Sequence, residues 1–100
     1  MALSISNFMA LKFSEIETII FELEKEFNSH DFIKKFAKRF EPEYVGFLNN
    51  YKERHFQMVH SQIALFLSNN SDILKIRKTK LVESETIFGE LDQIQGWEKI

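Results

Sequence analysis

Three histidines, His30, His55 and His60, are the residues of this chain best suited to proton transfer or metal ligation. His55 and His60 stand five apart, whereas paired zinc ligands on one helix face stand four apart, and no HExxH occurs. The chain has no Cys, which removes thiolate metal sites, disulfides and a cysteine nucleophile. His60 adjoins Ser61, yet a nucleophile and its base meet through folding and need a third group to orient them, and the sequence supplies none. There is no GxGxxG and no P-loop, and the Asp and Glu residues are scattered without a pair fit for general acid and base. The sequence therefore predicts no catalytic residues, no cofactor and no metal, and reads as a non-enzyme.

Charge distribution is the remaining signal. Net charge is only −2, too little for a nucleic-acid binder acting through bulk charge. Residues 29–40 and 71–80 nevertheless carry +3 each, against −3 for residues 1–28 and −4 for residues 81–100. Lys34, Lys35, Lys38 and Arg39 form the first basic group, and Lys75, Arg77, Lys78 and Lys80 the second. Such groups suit a polyanion such as double-stranded DNA. The plainer reading is that they pair with acidic helix faces or are solvated.

The elements that must position these groups follow from periodicity. Met9, Phe13, Ile16, Ile20, Leu23 and Phe27 recur at spacings of 4 and 3, one stripe of a helix. Ser14 with Glu17 fits a capping box, so one long helix and two shorter pieces both remain open. The stripe predicts burial against the chain's own core, with a homodimer seam through Met9–Phe27 as the alternative. Phe21 lies off the stripe. Asn28 or Ser29 should cap a second helix from about His30 to Phe40, with Phe32, Ile33, Phe36, Ala37 and Phe40 inward and the basic group outward. Glu41-Pro42-Glu43 starts a third, with Tyr44, Phe47, Leu48 and Tyr51 as its apolar face. From Phe56, the spacing of Val59, Ile63, Phe66 and Leu67 predicts a helix central to the core. The polar run from Ser68 to Asp72 interrupts it. Residues 73–80 fit a short helix or a strand, and the tail fits either a helix through Ile87, Leu91 and Ile94 or a small hairpin turning at Gly89. Trp97 should anchor the core or its edge.

Gln62-Ile63-Ala64-Leu65-Phe66-Leu67, the polar turn, and then Asp72-Ile73-Leu74-Lys75-Ile76-Arg77-Lys78 resemble the helix-turn-helix pattern of DNA-binding proteins, a superfamily that includes winged-helix domains. In that pattern Ala64 permits close approach of two helices, and Ile63, Leu67 and Leu74 form their shared core. Ser68 stands where Gly is usual and Asn69 where an apolar residue is expected. The resemblance implies a recognition helix opening at Asn70-Ser71-Asp72, with Lys75, Arg77, Lys78 and Lys80 on phosphates, and a wing or closing helix over Thr86–Trp97. The expectation is one domain over residues 1–100 and a mainly α fold. That fold is a compact bundle of four to five helices with a helix-turn-helix-like element and, as an option, a C-terminal β-hairpin as wing. The function expected is that of a small DNA-binding regulatory or accessory protein, the alternative being a helical adaptor or inhibitor of another protein. No apolar run approaches the roughly 20 residues that cross a bilayer, and the start lacks a signal-peptide pattern. A cytoplasmic location without membrane partners is expected.

Overall fold

The computed structural model describes residues 4–86 and 89–100; Ile87, part of the helical spacing proposed for the tail, lies outside them. In chain order the elements are α1 (Ile5–Leu11), α2 (Phe13–Glu22), β1 (Glu26–Asn28), α3 (Ser29–Arg39), α4 (Glu41–Asn49), α5 (His55–Asn69), α6 (Ser71–Leu74), β2 (Ile76–Glu85) and β3 (Leu91–Lys99). The fold is mainly α with a small antiparallel sheet. The described residues form six helices where four to five are expected, because the first segment folds as two and the polar turn contains a four-residue helix.

Ser4 caps α1 by accepting from the Asn7 backbone N–H at 3.1 Å. Lys12 then leaves helical geometry (φ −103°, ψ 28°), and α2 starts without a side-chain cap. The capping box anticipated at Ser14 does not form; the Ser14 carbonyl accepts from the Thr18 hydroxyl instead. Met9, Ile16, Ile20 and Phe27 are buried in the chain's own core, with Phe13 and Leu23 packed at its margin. The stripe thus packs on the chain's own core, the first of the two readings of its spacing. It is also not one helix, because Phe27 lies on β1.

Asn28 closes a capping box: its side chain accepts from the Asp31 N–H, and Asp31 accepts from the Asn28 N–H, each at 3.0 Å. A cap of this kind contributes about 1 kcal/mol and sets where α3 begins. Phe32, Ile33 and Phe36 then point inward. The Phe8 ring meets Phe40 and Phe47 edge-on at 5.1 and 5.5 Å, tying α1 to the α3–α4 corner. Pro42 in the first turn starts α4. Arg54, in left-handed geometry (φ 54°), turns the chain into α5, which buries Val59, Ile63, Phe66 and Leu67 as its spacing predicts.

The recognition helix implied by the helix-turn-helix resemblance is not there. α6 lasts four residues and stops at Lys75, left-handed at φ 59°. From Ile76 the chain is a strand, so Lys75, Arg77, Lys78 and Lys80 share no helix face. Residues 91–99 are likewise a strand and not a closing helix. The sheet order is β1-β3-β2, with β3 pairing antiparallel to both neighbours. Trp97 on β3, 1% exposed, packs into the core, and its indole N–H donates to the Ser29 hydroxyl at 2.9 Å. Beside it, β2 bulges between Lys78 and Leu81. Gly96 permits this close approach: a Cβ there would stand 2.5 Å from the Thr79 hydroxyl oxygen and 2.8 Å from the Lys80 carbonyl.

Candidate nucleic-acid interface

The basic residues fall in two groups, and the structure sets them against different neighbours. Lys75, the left-handed residue between α6 and β2, lies in a shallow groove with Phe21 and Lys99. Arg77 donates to Glu98 across the β2–β3 ladder at 2.9 Å. Lys78 is exposed, at the register position of Trp97. Lys80 shares a groove with Glu26 and Asp31. The second basic group therefore runs along an edge strand with carboxylates beside two of its members. On α3, Lys34, Lys35 and Lys38 are exposed, and Arg39 lies 3.8 Å from Glu22 of α2. Exposed pairs like these contribute roughly 0–1 kcal/mol, so they leave the cations available to a stronger partner.

α5 packs against α3. Its outer face presents Gln57, Met58, Ser61 and Leu65 to solvent, and no Asp, Glu, Lys or Arg occurs between His55 and Asn69. The start of the helix is held from both sides. The His55 ring Nδ1 bonds the Leu48 carbonyl at 2.6 Å, and Arg54 Nε donates to the Gln57 side-chain oxygen at 2.5 Å.

α3, α5 and the outer part of the β2–β3 hairpin enclose a cleft of about 510 Å³. His30, Ile33 and Lys34 of α3 face Phe56, His60 and Ala64 of α5 across it, and Glu90, Asp92 and Ile94 close the hairpin side. The Tyr44 hydroxyl and His60 Nε2 are 2.6 Å apart, with the rings stacked. Burial, with His30 nearby, lowers His60 to about 4, so the ring is neutral at pH 7. Burial pushes the Tyr44 phenol up, so the hydroxyl keeps its proton. Burial also lowers His30, with Asp92 acting in the opposite direction. The Tyr44–His60 pair is therefore uncharged at pH 7. Among the described residues no three His, Cys, Asp or Glu side chains are grouped to hold a metal ion, and no helix is long and apolar enough to cross a membrane.

Of the residues singled out by charge, only Lys34 borders this cleft. The outer face of α5 escapes a reading based on charge because it carries none. Its signal in the sequence is Gln57 and Ser61 four apart on the side opposite Val59 and Ile63. No family model matches the sequence, and neither a curated protein nor a solved structure gives a match.

Proposed function

We propose that this chain binds double-stranded DNA as a small regulatory or accessory protein of helix-turn-helix or winged-helix type, with α5 rather than residues 70–80 as its reading element. The supporting observation is the placement of α5: fifteen residues long, uncharged on its outer face, packed on α3 and followed by a long antiparallel hairpin. An α-helix fits the major groove, where a Gln amide pairs with the N6/N7 edge of adenine and a Ser hydroxyl bonds any base. Gln57 and Ser61 are the side chains of those types on the exposed face. Lys34, Lys35 and Lys38 on α3 would take phosphates on one side, and the hairpin, with Lys78 and Lys80, would lie along the backbone as a wing. A net charge near neutrality suits a binder that depends on placed contacts more than on its overall field.

Salt titration of duplex binding tests this. The logarithm of the affinity should fall against log salt with a slope near −0.9 per phosphate neutralised, and replacing Lys34, Lys35 and Lys38 by Ala should flatten it by roughly two to three units. Gln57→Ala should relax sequence preference and leave the slope unchanged. No duplex binding at low salt would overturn the proposal. The second reading, an adaptor for another protein, draws on Phe21, which is 83% exposed beside Lys99 and Ile100. It would be favoured by a partner whose binding is lost in Phe21→Ala and retained in the triple lysine variant.

A further inference from the structure

β2 is the long open edge of the sheet. In the order β1-β3-β2 its ten residues pair on one side only, with β3. The opposite edge, β1, is three residues long and runs directly into α3. A strand paired on one side presents a row of backbone N–H and C=O groups that another strand can take up. This one is open to solvent: Arg77 to Leu81 are exposed in succession, and Leu81 stands near the middle of the strand.

Charge along this edge is divided. Arg77, Lys78 and Lys80 occupy its first half, and Glu83 and Glu85 its second. Arg77 is already bonded to Glu98, whereas Lys78, Lys80, Glu83 and Glu85 form no ion pair among the described residues. Lysines on an edge ordinarily repel a further strand. They would repel a parallel copy of β2, which sets like charge against like. In an antiparallel copy, the basic half of each strand runs beside the acidic half of the other.

The bulge decides which side chains meet. Strict alternation would put Lys78 on the opposite face from Glu83 and Glu85. The extra residue between Lys78 and Leu81 shifts the register by one, so that Lys78 stands at Trp97, Glu83 at Gln93 and Glu85 at Leu91. These three partners alternate regularly along β3, and Lys78, Glu83 and Glu85 therefore share one face. A two-fold axis perpendicular to a sheet keeps each face with its like. With that axis at Val82, counted in the register with β3, Lys78 of each copy comes opposite Glu85 of the other, and the match occurs twice.

We infer that β2 pairs antiparallel with β2 of a second copy of this chain, giving a two-fold dimer with a continuous sheet of order β1-β3-β2-β2-β3-β1. The interface uses neither the Met9–Phe27 stripe nor α5. The inference does not rest on DNA binding, and its test contains no DNA.

Sedimentation of the whole chain from about 1 to about 500 µM in low salt should show a monomer–dimer equilibrium with a Kd of about 10–100 µM, as suits a small interface. Raising salt to about 0.5 M should weaken it severalfold. Reversing the basic half (K78E with K80E) should weaken the dimer at least about tenfold, and reversing the acidic half (E83K with E85K) should do the same. An equimolar mixture of the two variants should associate within about threefold of the wild-type Kd, because each reversed half then faces its opposite. The chain has no Cys, so Val82→Cys places one thiol per copy at the axis. Opposed strand residues stand about 4.5–5.5 Å apart at Cα, within disulfide reach. Mild oxidation should cross-link this variant and leave Val45→Cys, exposed on α4, as monomer. A wild-type chain that stays monomeric at about 500 µM in low salt overturns the inference. So does a dimer indifferent to the folded charge reversals, a mixture that associates no better than its parts, or a dimer in which Val82→Cys does not cross-link. Should a charge variant fail to fold, wild-type sedimentation and the Val82→Cys cross-link decide the matter.

Discussion

At the root of the β2–β3 ladder, Ile76 and Trp97 are buried at 2% and 1% exposure, and the indole is bonded to Ser29. Toward the turn, the same two strands pair Glu83 with Gln93 and Glu85 with Leu91, all exposed. Backbone geometry is shared, but the root is held by the core, whereas these outer pairs are exposed to solvent. Apolar burial contributes about 25 cal/mol per Å², so the two halves differ widely in stability although they form one hairpin.

The contrast is broken most directly at its base. Trp97→Ala should cost about 3–5 kcal/mol in urea denaturation, because it leaves a cavity and removes the indole donor to the Ser29 hydroxyl; a loss near that of a surface substitution would put both halves on one footing. Gly96→Ala should cost about 1–3 kcal/mol, since the added carbon meets the Lys80 carbonyl and the bulge must shift. Acid should act between these two and the turn. His60 has its folded value lowered to about 4 against 6.5 unfolded, so below pH 6.5 the unfolded chain binds the proton first and stability falls as pH drops toward 4. The urea midpoint should therefore decline from pH 7 to pH 5, and His60→Gln should flatten that decline. At the outer end, Leu91→Ser should move the midpoint by an amount equivalent to less than about 0.5 kcal/mol. A larger loss there would mean that the outer half is packed more firmly than its exposure implies.

Helices with one wet and one dry face were legible in the residues themselves. Asn28 with Asp31 marked the start of α3, and the spacing from Val59 to Leu67 marked the buried side of α5, because burial imposes a period that the side chains must obey. Residues 73–80 gave no such period. Strand β2 is exposed on both faces from Arg77 to Leu81, and its bulge at Thr79 and Lys80 disrupts the alternation that would otherwise identify it. The charge outlier at 71–80 was visible, but the carboxylates beside it were not, since Glu98 reaches Arg77 and Glu26 reaches the Lys80 groove only through strand pairing. The cleft was hidden for a similar reason. His30, His60 and Asp92 are far apart in the chain, and what gathers them is the packing of α3, α5 and the hairpin.

The central strand of the sheet comes from the last stretch of the sequence. β3 bonds β1 on one side and β2 on the other, and Trp97 reaches back to Ser29 across 68 positions. During synthesis, the helices have their local capping and aromatic contacts long before this strand exists. The core stays open along one side until residues 96–98 leave the ribosome. Until then β1 is an unpaired edge and the site of the indole is vacant, so the nascent chain is exposed to aggregation and proteolysis at the side it will later seal.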